Sequence, residues 1–348
     1  MYIRILCGVV LCVALFSMPK IAASNEHDEV AFLLSEHPDL DEKTLRAFSE
    51  QFVTRLFQTG QFEELEKVAH HYTSNNTRTP SGLNKYQQFF EGIKSAVYLK
   101  PVEEKYRPVV EELVQRWNSK FPDSTFAKVA HAQMILQHGW SIRGGGYAQD
   151  VRDEDWKPFF EYVESAKQYM DQHNGTIQSD PHWELLRLEI ARLQSLPQDE
   201  YALLADKALT AHPNYYQLYF EVASYQLPKW AGSAEALEAF ANDAVRRTEL
   251  EAGQALYARI YWAAAQFQYE SQLLQHSSVR WSKMKSGIDD VLKQYPDLWN
   301  TYNFGMISCF AGDQAKTHEL LKRIEDKVVP ENWPNSNSLQ ACQTFAGL

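Results

Sequence analysis

Arg143 stands beside three successive glycines, Gly144, Gly145 and Gly146, and that juxtaposition has the makings of an anion site. Glycine backbone lets N–H groups approach an oxyanion, and a guanidinium pairs with carboxylate or phosphate. The surrounding run from His138 to Asp155 adds Trp140 and Tyr147, and it interrupts a chain that otherwise reads as helix after helix. A nucleotide fingerprint, however, needs a strand ahead of its glycines. Here a helix precedes them, and Gln149 occupies the third glycine's place. The nucleophile elbow fails as well, because Gly139-Trp140-Ser141-Ile142 is followed by Arg143 where a glycine is required. The break therefore offers binding but no catalytic group. Its structural alternative is a tight crossover, with Trp140 packed among helices and Arg143 paired to Asp150 or Asp153.

A second break, Pro228 to Gly232, repeats the theme with Lys229 and Trp230. The candidate binding residues are accordingly Trp140, Arg143, Gly144, Gly145, Gly146, Tyr147, Lys229 and Trp230. Between the breaks, Tyr215, Tyr216, Tyr219, Phe220 and Tyr225 lie at helical spacing. They line a groove for an extended peptide or sugar chain, or they form core between stacked helices. Arg259, Tyr261 and Trp262 are placed to face the same way. No metal site is expected: His70 and His71 diverge on a helix, and His131 and His138 lack the zinc-binding His-Glu-x-x-His pattern. No cofactor motif is present. Acidic clusters such as Asp153-Glu154-Asp155 read as helix N-terminal charge.

The elements that must position these residues are helices. Leu45, Phe48, Phe52, Val53, Leu56 and Phe57 make one amphipathic stripe stopped at Gly60, and Phe62, Leu65 and Val68 make the next. Further helical patterns run over residues 181–193, 201–209, 252–274 and 281–295, and no stretch alternates at strand spacing. The fold class is all-α, with antiparallel helical hairpins stacked as an irregular tetratricopeptide-like solenoid. Lys120-Phe-Pro-Asp, Ala211-His-Pro-Asn and Gln294-Tyr-Pro-Asp each precede a helix, as corners of diverged repeats do.

Arg4, an apolar run to Met18 and the small residues Ala22-Ala23-Ser24 read as a signal peptide cleaved after Ser24, too short to span a bilayer. The expected division is 1–24 leader, 25–120 N-terminal helical region and 121–348 repeat domain. Loss of Arg4 and Lys20 would take the net charge from -11 to -13, which disfavours nucleic acid and anionic membranes. Cys309 and Cys342 then remain as one expected disulfide, consistent with an oxidising compartment such as the periplasm.

Residues 78–83 (Arg-Thr-Pro-Ser-Gly-Leu) with Lys85, 140–146 (Trp-Ser-Ile-Arg-Gly-Gly-Gly), 227–233 (Leu-Pro-Lys-Trp-Ala-Gly-Ser) and 308–313 (Ser-Cys-Phe-Ala-Gly-Asp) resemble the landmarks of a bacterial exported helical-repeat family catalogued as a domain of unknown function. Ala231 stands where that family places a second glycine. The resemblance implies export and an all-α fold over most of the mature chain, and it carries no activity. The expected role is a protein-interaction or scaffold module with a protein or peptide partner. The rival is an enzyme acting on envelope glycan or peptide, which would need a carboxylate pair in an aromatic groove.

Overall fold

The computed structural model describes residues 26–99, 101–175, 177, 179–230, 232–324 and 336–348. The leader with its cleavage point after Ser24, and Ala231, lie outside the described residues. Among those described, the chain is all α, and its one extended pairing is an isolated bridge between Arg78 and Asn84. No described helix is long and apolar enough to cross a membrane.

The helices in order are α1 (Glu26–Leu34), α2 (Glu42–Gln58), α3 (Phe62–Asn75), α4 (Lys85–Val97), α5 (Arg107–Lys120), α6 (Thr125–Arg143), α7 (Asp153–His173) and α8 (Pro181–Leu193). There follow α9 (Gln198–Ala211), α10 (Tyr216–Tyr225), α11 (Ala234–Ala252), α12 (Ala255–Ala264), α13 (Leu273–His276), α14 (Trp281–Gln294), α15 (Leu298–Phe310), α16 (Gln314–Lys322) and α17 (Ser336–Ala346). They form two compact units. The first comprises residues up to Glu36, Arg46–Thr77 and Lys85–Ile190; the second comprises His37–Leu45, Arg78–Asn84 and Ala191–Leu348. The boundary between the two falls inside α8, and within the first unit α6 packs on both α4 and α5.

Local chemistry explains where the helices begin. Ser124 caps α6 by accepting from the Ala127 N–H at 3.0 Å, and Ser233 caps α11 from Ala236 at 3.1 Å. Asp180 accepts from the N–H groups of His182 and Trp183 at 2.9 and 2.8 Å, which starts α8 at Pro181. The three proline corners share one conformation. Phe121, His212 and Tyr295 each end a helix with φ/ψ of -128/70, -135/60 and -134/74, and each donates its N–H to the carbonyl four residues back. Proline after each of them excludes the α region, so the helix must stop there. The corner is a repeated backbone unit, as the residues around Pro122, Pro213 and Pro296 imply.

In the second unit α12 is central, packed by α10, α11, α14 and α15. Leu256, Tyr257, Ala258, Ile260 and Tyr261 are buried around its whole circumference, as a helix surrounded by others requires. The hydroxyls of Tyr257 and Tyr261 both reach Glu238 Oε2 at 2.7 Å. The continuous helix expected over 252–274 is instead interrupted: Gly253 ends α11, and a π turn over Ala265–Tyr269 closes α12. Glu270 follows at φ 49, and α13 begins three residues later. Tyr215, Tyr216, Tyr219 and Tyr225 are buried, with Tyr225 stacked on Tyr201 at 3.7 Å, so most of the aromatic stripe is core. Cys309 and Cys342 are bonded, with Cα atoms 5.7 Å apart, and join α15 to α17.

Candidate functional site

Arg259 is the one cation on the buried face of α12, and it is 5% exposed. Its Nη2 donates to the Ser81 carbonyl at 2.6 Å. Its Nε is sealed from solvent with no acceptor, and Nη1 has no hydrogen-bond partner among the described residues. No carboxylate lies within ion-pairing reach of it there; the guanidinium is flanked by the rings of Tyr216 and Tyr295, each 5.7 Å away. Burial lowers its pKa to about 10, so it stays cationic at neutral pH. The buried Glu42 carboxylate acts on it electrostatically from beyond ion-pairing distance, and a buried charge without a direct ion pair is costly.

The carbonyl that Arg259 grips belongs to a compact loop, Arg78–Asn84. Gly82 N–H turns back to the Thr79 carbonyl at 2.8 Å, and Thr79 N–H reaches the Leu83 carbonyl at 2.8 Å. Gly82 sits at φ +89, and a Cβ there would stand 2.6 Å from the Tyr295 ring and 2.8 Å from Arg259 Nη2. Only glycine fits both demands. Glu42, fully buried, anchors the loop by accepting from Thr79 Oγ1 at 2.9 Å and Ser81 N–H at 2.7 Å. Arg78 donates to the carbonyls of Gly82 and Asn214 at 3.2 and 2.7 Å and lies 4.5 Å over Tyr216. Glu42→Ala would leave two buried donors without an acceptor, at about 1–3 kcal/mol. It is therefore expected to melt several degrees below the wild type, whereas Glu42→Gln keeps an acceptor and should lose less. Melting curves of the two variants check this.

Beside Arg259 the second unit has a small, partly open hollow with room for about one water. Phe220, Trp262, Trp299, Phe304 and Leu83 form its apolar wall, and Ser81, Asn300 and Asn303 supply neutral polar groups. Trp262 Nε1 is another sealed donor with no acceptor. The Asn300 amide nitrogen donates to the Ser81 and Tyr295 carbonyls at 3.1 and 3.0 Å, and that of Asn303 donates to Trp299 O at 2.7 Å. Those bonds fix both amides, so each keeps its oxygen as an unused acceptor. No carboxylate lines the hollow.

The residues picked out by type alone fare differently. Arg143 lies over the rings of Trp140, Trp156 and Phe159 at 5.2, 4.9 and 5.8 Å. Its Nη1 donates to the carbonyls of Gly144 and Gly146 at 2.9 and 3.0 Å. The expected ion pair with Asp150 or Asp153 does not form. The arginine closes the C-terminus of α6, where a cation is favoured and three rings shelter its planar head. Burial lowers its pKa. Trp140 donates from Nε1 to Glu189 at 3.0 Å. Gly144 is at φ +74, and neither it nor Gly145 has any neighbour within 4 Å of an added Cβ, while Gly146 approaches only Asp150. Tyr147 is 64% exposed.

Lys229 donates from Nζ to the Phe267 carbonyl at 2.7 Å and from its N–H to Gln268 Oε1 at 3.2 Å, clasping the π turn. Burial, then the nearby Arg192, lowers its pKa. Trp230 is 37% exposed with Arg192 stacked over it at 4.4 Å. Arg192 is itself paired with Glu221 at 2.5 Å. The first break belongs to the first unit and the second to the other.

Among the described residues no group of His, Cys, Asp or Glu has the arrangement of a metal site. Of the hollow, Arg259, Trp262 and Phe220 carried a sequence signal through their aromatic, helical setting, and Ser81 and Leu83 through their loop. Asn300 and Asn303 carried none, since an asparagine on a helix is unremarkable until its surroundings are known. Neither a curated protein nor a solved structure matches the chain. A family described as a domain of unknown function (DUF4034) matches residues 50–170, which take in the Arg78–Leu83 loop and the Trp140–Gly146 break and stop short of the hollow's remaining walls.

Proposed function

We propose that this chain is an exported interaction protein whose second unit holds part of a partner in the hollow beside Arg259. The observation that carries this reading is a buried guanidinium with unpaired donors and no direct carboxylate contact, next to a small aromatic-walled opening. An anionic group brought there would give the unpaired donors of Arg259 an acceptor and add to the distant charge of Glu42, so part of the cost of burying Arg259 is offset on binding. Glycoside hydrolysis at this place would need two carboxylates, and the lining provides none. Export rests on the leader pattern of residues 1–24 and on the cysteine pair, and the periplasm is the compartment that fits both. The three like proline corners support diverged, tetratricopeptide-like helical units as the scaffold. The exposed rings of Tyr147 and Trp230 are secondary contact candidates within the same reading.

The test is retention of envelope components by the mature protein beside its Arg259→Met variant, with retained material identified by mass spectrometry. Material recovered intact and lost with the variant is expected. Retention that ignores Arg259 would overturn the assignment of the site, and recovery of cleaved fragments would replace a binding module by an enzyme.

A further inference from the structure

We infer that α7 is held on α6 by two histidine–tyrosine contacts and is released when His131 and His138 take up protons, so that acid opens the first unit. This device lies apart from the partner site at Arg259 and does not depend on it.

The two contacts are rungs of one ladder. His131 and His138 lie seven residues apart on α6, and Tyr162 and Tyr169 lie seven apart on α7. They pair in reverse order, as antiparallel helices require. His131 meets Tyr169 with ring centroids 4.3 Å apart, and His138 meets Tyr162 edge-on at 5.9 Å. The helices approach closely at the second rung, where a Cβ on Gly139 would stand 3.0 Å from Tyr162 Cβ and 3.3 Å from the Phe159 carbonyl. Displacement of α7 breaks both rungs together.

Neither histidine has a place for a charge. His138 is 2% exposed and its Nε2 is sealed without a hydrogen-bond partner, so an imidazolium would bury an N–H that has no acceptor. The charged groups that act on it are Arg107 of α5, which opposes a cation, and Glu104 just ahead of α5, which favours one but is engaged by Arg107 at 2.7 Å. From α7 it faces Tyr162, whose hydroxyl accepts from Arg107 Nη1 at 2.7 Å. His131 is partly buried, and the titratable groups facing it are Tyr169 and His173 of α7, with no carboxylate among them. Attraction of an imidazolium to the Tyr169 ring is weaker than the hydration it gives up. Burial, then His173, lowers the pKa of His131 to about 4; burial, then Arg107, lowers that of His138 to about 4 against the pull of Glu104. Once α7 leaves, both return toward about 6.5. Docking is therefore at full strength above pH ~6.5 and weakens about tenfold per pH unit for each histidine as pH falls from there toward 4.

The surroundings suit departure of this one helix. It packs chiefly on α6. Ahead of it the chain passes through Gly144 and Gly145, and behind it through Gly175, and an added Cβ at any of the three would meet nothing within 4 Å. The glycine run thus serves as a hinge. Side-chain ties from other elements include Arg107 to Tyr162 and Arg187 to Asn174, at 2.7 and 3.2 Å. Departure bares the stripe Phe159, Val163, Ala166 and Met170, an apolar face that stays buried at neutral pH.

The experiment follows amide hydrogen exchange of the mature full chain by mass spectrometry from pH 7.5 to 5, corrected for the intrinsic pH dependence of exchange. Peptides from α7 are expected to lose at least tenfold in protection over that range, while peptides from α12 in the second unit keep theirs. His131→Gln/His138→Gln should abolish the loss, and each single variant should leave about half of it on a logarithmic scale. Proton NMR titration of the histidine rings, assigned through the single variants, is the second readout. Unchanged protection of α7 at pH 5, loss of α7 and α12 protection together, or titration of His131 and His138 near 6.5 in the folded protein would each overturn the inference. Should the double variant be open already at pH 7.5, the single variants decide: a pH dependence equal to that of the wild type in both would overturn it too.

Discussion

Gly232→Ala is expected to cost at least about 3 kcal/mol, the upper end of what overpacking usually costs, and to lower the melting temperature by roughly 6–12 °C. A Cβ at Gly232 would stand 1.9 Å from the carbonyl oxygen of Gln226 and 2.2 Å from its carbon. Those atoms are backbone, so no rotamer change relieves the clash. The local chain has little freedom to move: the N–H groups of Trp230 and Gly232 both return to the Leu227 carbonyl, at 2.9 and 3.3 Å. One residue later Ser233 must cap α11. Displacing Gly232 would therefore loosen the end of α10 and the start of α11 together. Gly145→Ala is the control. Nothing lies within 4 Å of an added Cβ there and its φ is not in the left-handed region, so its melting temperature should stay within the small range of surface changes. Equal melting of the two variants would contradict the geometry of the Pro228–Gly232 turn. The expected contrast also separates the glycine run that looked functional from the single glycine that is structurally required.

That contrast shows how much of this molecule its residues disclose in linear order. Helical periodicity reports which side chains turn inward, so the all-α class and a helix such as Pro181–Leu193 are legible from spacing alone. Proline placement discloses the three corners for the same reason, since its effect on the preceding residue is local. What spacing cannot disclose is which distant segments meet. Ser81 and Arg259 are 178 residues apart, and Ser81 and Asn300 are 219 apart, yet they share one wall. Arg143 illustrates the opposite error. Beside glycines and acids it looks poised for an ion pair, but three rings within 6 Å and two carbonyls satisfy it, and none of those contacts has a sequence signature. The π turn after α12 was hidden because neither glycine nor proline marks residues 265–269.

Removal of the Cys309–Cys342 bond is expected to cost about 3–4 kcal/mol, because the two half-cystines are 33 residues apart and their bond restricts the unfolded chain accordingly. The loss should be felt first at α17. That helix packs on α15 and α16 through a small cluster of Tyr302, Met306, Leu321, Ile324, Leu339 and Ala346, which is little apolar surface to hold eleven residues without a covalent tie. In the double variant Cys309→Ser/Cys342→Ser, a protease should therefore cut around α17 under conditions where the oxidised protein resists, and global melting should fall as well. The bond also bears on the hollow, since α15 carries Trp299, Asn300, Asn303 and Phe304 toward its N-terminal end and Cys309 near its C-terminal end. Because α15 also packs on α12 and α14 independently of α17, retention of the partner at Arg259 should survive reduction even as the C-terminus loosens. Proteolysis, and retention of envelope material, with oxidised and reduced protein check both halves. Loss of binding in step with release of α17 would show instead that the disulfide holds the wall of the site in place.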